Sequence, residues 1–326
     1  MSESISLVVL NLLLIGRGKR AILHDRPPAH FSRTGAIHQA DLCGRLIPAL
    51  LPELPETFMP HHINQPETIF TISRAGMPEL QPERPALLLS STSWTADEDF
   101  SLLLTALDKY QAAISSGKDL PKLLVIITGK GALRLPFEKA VQERERSTWI
   151  DVCVRCHFLS AKDYPTLLGC ADLGVSLHTS SSGRDLPMKV VDMFGCGVPI
   201  LAKGFGCIDE LVKHGENGLV FDTGQELGAQ MIVSFLFLPA DRKMLITFQD
   251  ILGGFPNSTK LDKLQSYFTD QDRRNMTSTP TKRSDYRRTE ELDDEWTTWD
   301  DNWDRVVYRG ILNPHHFAKH MKNVDA

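Results

Sequence analysis

The sequence predicts an α/β protein whose core is a doubly wound parallel sheet over residues 85–250. Three observations carry this. From residue 86 onward, short apolar runs alternate with stretches of helical periodicity. Those runs are continuously apolar, so each strand is expected to be buried on both faces, as in a parallel sheet between helices. The chain has 326 residues, 42% hydrophobic and 24% charged, enough apolar material for a sizeable core at roughly 150 residues per domain.

The elements follow in order. The apolar run Ile5–Ile15 falls short of the about 20 residues of a bilayer span. Its positive charges, Arg17, Lys19 and Arg20, come after it, the reverse of a secretory leader, so it reads as a buried strand of an α/β sheet, with an interfacial membrane anchor as the alternative. Prolines recur from Pro27 to Pro85, each removing a backbone donor, and the stretch reads as extended linker. One helix interrupts it over 36–50, where Ile37, Leu42, Leu46 and Leu50 keep helical spacing before Pro52. Strands are then predicted at 86–90, 123–128, 150–156, 173–178, 199–202 and 219–221. Helices are predicted at 100–115, 137–146, 163–169, 188–194 and 207–214, the last stopped by Gly215 and an Asn217-Gly218 turn. The polar stretch Thr277–Arg288 reads as disordered, and the segment with Trp296, Trp299 and Trp303 as a terminal helix.

Charge and cysteine usage exclude several functions. Lys plus Arg total 36 against 41 Asp plus Glu, and a net charge of -5 offers a polyanion little attraction, so no nucleic-acid partner is expected. Six scattered cysteines, Cys43, Cys153, Cys156, Cys170, Cys196 and Cys207, do not make a disulfide framework and fit a reducing compartment. Cys153 and Cys156 form a lone CxxC whose spacer reads as strand, so no metal site is expected there. The sequons at Asn257 and Asn275 are expected to be unused.

Ligands of open parallel sheets bind beyond the carboxyl ends of the strands, which makes the loops there the place to look for chemistry. After Thr128 come Gly129, Lys130 and Gly131, which suit either a tight turn or close approach of backbone to a ligand. After His178 comes a hydroxyl-rich loop, Thr179 to Ser182, then Gly183, Arg184, Asp185 and Leu186. Pro187 suits the first position of a helix. A helix N-terminus with free amides, and Lys189 in its first turn, forms a phosphate or diphosphate site; a polar cap with a solvated lysine is the alternative. Asp192, among Val190, Val191, Met193 and Phe194, needs partners, which either a ribose diol or a neighbouring loop would supply.

These residues carry a resemblance. The segment HTSSSGRDLPMKVVDMFGCGVP at 178–199 is joined by ELVKHGENGLVF at 210–221 and RPALLLSSTSWTADEDFSLLLTAL at 84–107. LLVIITGKG at 123–131, KDYPTLLGCADLGVSLHTSSSG at 162–183 and AILHDRPPAHF at 21–31 extend it. Together they resemble the chitobiosyldiphosphodolichol beta-mannosyltransferase family, glycosyltransferases of the GT-B type, over roughly residues 17–228. The resemblance implies a GT-B C-terminal Rossmann-like domain at 85–250. Residues 1–84 would be a remnant of the N-terminal domain with a Pro-rich linker, most of that domain being absent, and 251–326 a polar tail.

The implied reaction moves mannose from GDP-mannose to dolichol-diphosphate-linked GlcNAc2 with inversion, at the cytosolic face of the endoplasmic reticulum membrane. Other glycosyltransferases of the pathway are candidate partners, and neither a cofactor nor a metal is implied. Asp192 would hold the ribose. Leu186, Met188 and Lys189 would take the diphosphate, and Ser181, Ser182 and Gly183 would border the sugar. Residues 90–95 with Gly129 and Gly131 would close the nucleotide pocket. Asp185 approximates the first acid of a Glu-x7-Glu pattern, although Arg184 stands at the strict position and no catalytic residue is assigned. A non-catalytic shortened paralogue that binds nucleotide sugar or a complex partner is the second expectation.

Overall fold

A computed structural model describes residues 8–9, 22–23, 25–50, 54–59, 67–180, 182, 185–215 and 217–236. The expectations for residues 237–326, including the polar stretch, the tryptophan-rich helix and the sequons, lie outside them. The described residues divide into two compact units at His30 and Phe31. In the first, β1 (Val8–Val9) pairs antiparallel with β2 (Ile22–Leu23). The described part of the N-terminal apolar run therefore joins a separate two-strand ladder, not the α/β sheet that its apolar character suggested.

The second unit holds the main sheet. Its strands are β5 (Ala86–Ser91), β6 (Leu123–Thr128), β7 (Val152–Cys156), β8 (Leu173–Ser176), β9 (Ile200–Lys203) and β10 (Gly218–Phe221). All pair in parallel, in the order β10-β9-β8-β5-β6-β7. Chain order runs outward from β5 through β6 and β7, then returns to β8 on the other side of β5. This is the doubly wound arrangement, and its reversal lies between β5 and β8.

Continuous apolar strands feed two core layers. Ala86 and Leu88 of β5 pack with Leu103, Leu107 and Tyr110 of α2 (Phe100–Ser115), Phe137 and Val141 of α3 (Arg134–Ser147), and Met231 and Phe235 of α6 (Gly224–Leu236). Leu87 and Leu89 face the other way. They pack with Leu42 and Leu46 of α1 (Ala36–Leu50), Leu167 and Leu168 of α4 (Asp163–Leu168), and Val190 and Val191 of α5 (Met188–Gly195). Each such leucine contributes about 1.5–3 kcal/mol of burial.

Helix α2 starts where Asp99 accepts from the Ser101 amide at 2.9 Å. Asp99→Ala is expected to cost about 1 kcal/mol, read as a lowered urea midpoint at unchanged slope.

At the amino ends of β5 and β8 a closed ion pair sets the register. Arg84 Nη1 and Nη2 donate to Asp172 Oδ2 and Oδ1 at 2.8 and 2.6 Å, and Asp172 Oδ2 also accepts the Leu87 amide at 2.8 Å. The two side chains are 1% and 2% exposed.

Three elements depart from the sequence reading. Within the supposed linker, β3 (Thr71–Arg74) and β4 (Met77–Leu80) form a hairpin. Its two-residue turn puts Ala75 and Gly76 at φ 49° and 79°, the conformation of a tight hairpin turn, and Ala75 gives no sequence cue for it. The helix expected at 207–214 is a single 3-10 turn at Ile208–Glu210. Side chains there take backbone groups a helix would use: Asn217 Oδ1 accepts the Lys213 amide at 2.8 Å and Asn217 Nδ2 donates to the Leu211 carbonyl at 3.1 Å. Finally, Pro187, read as a first helical residue, is extended (φ -73°, ψ 114°) and stands at the N-cap of α5, which begins at Met188 where the helical periodicity begins.

Candidate functional site

The strand order reverses between β5 and β8, and in doubly wound sheets the ligand crevice lies beyond the carboxyl ends of the strands at such a reversal. Adjacent acids in the β5–α2 connection tie its two sides together. Asp97 reaches the end of β8: its carboxylate lies 3.1 Å from His178 Nδ1, and its carbonyl accepts from the Thr179 amide and hydroxyl at 3.1 and 2.6 Å. Burial works to raise the Asp97 pKa, but hydrogen bonds from Thr95, its own amide and His178 hold it below the usual carboxylate range. His178 Nε2 is buried and has no hydrogen-bond partner among the described residues.

Glu98 reaches α5. This buried carboxylate accepts from the Thr92 hydroxyl through Oε2 and from the Lys189 ammonium through Oε1. Lys189 is thus present at the helix start, as expected, but bound to a counter-charge rather than solvated.

Between these anchors runs the serine loop. Asp185 accepts from Ser180 and Ser182 hydroxyls at 3.1 and 2.9 Å and donates its amide to Ser180 Oγ at 3.2 Å. Ser181, Gly183 and Arg184 lie outside the described residues. Asp185 is spent organising its own loop. Leu186 and Met188 are half-buried beside Pro187, which provides no side-chain cap. The Met188 and Lys189 amides at the positive end of the helix therefore have no side-chain cap among the described residues.

Asp192 lies one turn into α5, half-buried, and its carboxylate has no hydrogen bond or ion pair among the described residues. Desolvation pushes its pKa up to about 7. Among the described residues no loop group partners this carboxylate to make it structural. Burial also raises the Tyr164 hydroxyl, and the charge of Asp192 adds to that shift; Tyr164 lies 3.1 Å from Ser91 Oγ at the end of β5.

Gly129 and Gly131 have a reason the sequence did not offer. A Cβ at Gly129 (φ 145°) would sit 1.8 Å from the Thr92 carbonyl oxygen, and one at Gly131 would sit 2.1 Å from that of Ser93. Side chains are excluded because the β6 loop packs backbone to backbone on the β5 loop. That loop carries Trp94 at φ 54°, a strained value for a bulky residue, stacked 4.4 Å from Phe100. Cys153 and Cys156 lie on β7 as read, and burial raises both thiols, Cys156 to about 12.

Thr92 falls within the stretch 90–95 expected to close the nucleotide pocket, whereas Asp97, Glu98 and Tyr164 are not among the residues the sequence pointed to. The signal for two of them is an acidic triplet, Asp97 to Asp99, in the connection between an apolar strand and a helix, with two acids more than the helix cap requires.

Residues 77–247 match the family described as glycosyl transferases group 1. The chain belongs to the group 1 glycosyltransferases. It is 57% identical over 157 residues to chitobiosyldiphosphodolichol beta-mannosyltransferase of Homo sapiens, covering 48% of this chain and 33% of that protein. The protein of the same name from Mus musculus is 44% identical over 229 residues, 70% of this chain and 47% of that one. UDP-glycosyltransferase TURAN of Arabidopsis thaliana is 41% identical over 265 residues, 71% and 53%.

This group 1 glycosyltransferase thus spans between a third and about half of the length of these relatives. Among solved structures, Anabaena Alr3699/HepE in complex with UDP and glucose aligns with a TM-score of 0.44 at 16% identity, covering 76% of this chain and 56% of that chain. Within the family match fall the sheet reversal, the serine loop, α5 and every polar contact of the crevice described above.

Proposed function

We propose that the crevice binds GDP-mannose and that the protein transfers mannose, with inversion, to dolichol-diphosphate-linked GlcNAc2 at the cytosolic face of the endoplasmic reticulum membrane. The relatives named for that reaction support the reading. Among the described residues no helix is long and apolar enough to cross a membrane.

The observation that carries the donor site is Asp192, a half-buried carboxylate without a partner among the described residues, one turn behind a helix N-terminus whose N-cap residue provides no side-chain cap. A ribose diol would donate two hydrogen bonds to that carboxylate and offset the desolvation that raises its pKa. The diphosphate would lie at the Met188 and Lys189 amides, where helix dipole and ammonium favour negative charge. As the glycosidic bond breaks, charge grows on the β-phosphate, so donors fixed there stabilise the transition state more than the ground state. Residues 180–186 and Gly129–Gly131 would border the sugar and nucleotide.

Two measurements test this. Titration calorimetry with GDP and UDP should show GDP bound more tightly. Radiolabelled GDP-mannose incubated with lipid-linked GlcNAc2 should give labelled lipid; binding without transfer would reduce the protein to a donor-binding module.

A further inference from the structure

Glu98 has no part in the donor chemistry above, yet it occupies the charge that the donor needs. Its side chain is 2% exposed against 18% for Lys189, so the ion pair is closed on the glutamate side and open on the lysine side. The Thr92 hydroxyl holds the second carboxylate oxygen, and the isolated bridge between Glu98 and His178 fixes the backbone, so Glu98 stays in place if the lysine is drawn outward. Other described charges around the crevice are the acids Asp97 on the same loop, Asp185 on the serine loop and Asp192 on α5, and one cation, Lys130 of the glycine loop, whose ammonium lies 3.7 Å over the Phe158 ring.

We infer that Glu98 is a built-in competitor for Lys189, which loosens the hold on a nucleoside diphosphate and speeds its release. The inference rests on the donor-site reading above. Neutralising Glu98 has two opposed effects. Lys189 loses the partner that fixes its flexible stem, which weakens the site. The bound phosphate loses a like charge one ammonium away, which strengthens it. At an effective dielectric of about 20, that repulsion exceeds the rotamer freedom of one lysine, so the second effect wins. A purely structural ion pair predicts the opposite sign, because loosening the crevice can only weaken a ligand.

The test is titration of the wild type, Glu98→Gln and Glu98→Ala with GDP and with uncharged guanosine at low and high salt. Glu98→Gln is expected to bind GDP at least about tenfold more tightly than the wild type, with guanosine unchanged within about twofold. The gain should shrink at high salt. Glu98→Ala, which needs no room for an amide, should move in the same direction. GDP binding by the wild type with equal or weaker binding by both variants overturns this inference alone. No GDP binding by any of the three overturns the donor site as well.

Discussion

Asp172→Ala is expected to cost about 3–5 kcal/mol of folding stability, because it strips a fully buried guanidinium of its counter-charge. Arg84 cannot reach water from its position, and the Leu87 amide loses its acceptor at the same time. Arg33, which donates to the neighbouring Ala171 carbonyl at 2.5 Å, also loses a charge that opposes the lowering of its pKa by burial. The loss is a large share of the roughly 5–15 kcal/mol that holds a typical domain together. Urea denaturation measures it; a midpoint within experimental error of the wild type would show that the pair is not what joins β5 to β8. Replacing both partners with well-packed apolar residues should recover much of the loss, since a buried pair is costly to break but not to omit.

Asp192→Ala is expected to weaken GDP binding by about 1–3 kcal/mol through loss of charge-assisted hydrogen bonds. The same residue sets a pH dependence of the free protein. Its pKa is raised on folding, so the native state binds a proton more tightly than the unfolded chain does. Stability is therefore lost as pH rises from about 4, where the unfolded carboxyl ionises, to about 7, where the folded one does. Asp192→Asn should match the wild type near pH 4 and be more stable at pH 8, while binding GDP less well. In the wild type, GDP affinity should rise between pH 6 and 8 by a component absent from Asp192→Asn, because ribose hydrogen bonds favour the ionised carboxylate. Equal melting temperatures for the two proteins at pH 8 would mean that Asp192 has a partner after all.

Much of this architecture was readable from residue order. Continuous apolar runs mark strands buried on both faces, and β6 and α2 occupy the residues that the runs predict, because the leucines at 103 and 107 and Tyr110 leave a single helical face. The hairpin at 71–80 was not readable. Ala75 adopts positive φ without the Asn or Gly that announces such a turn, and Pro78 reads as a breaker although it sits in a two-strand ladder where a missing donor is tolerated.

In the site, the helix start, Lys189 and Asp192 follow from local chemistry. The Glu98–Lys189 contact does not, because it joins residues 91 positions apart and depends on which strands become neighbours at the reversal. For the same reason the glycines at 129 and 131 read as a turn or a ligand cradle, whereas their constraint comes from a carbonyl on another strand's loop.

A crystal structure of the complex with GDP tests the central claim most directly. The diphosphate is predicted within hydrogen-bond distance of the Met188 and Lys189 amides, with the ribose hydroxyls on the Asp192 carboxylate. A nucleotide bound elsewhere on the sheet, or bound here with Asp192 untouched, would contradict it.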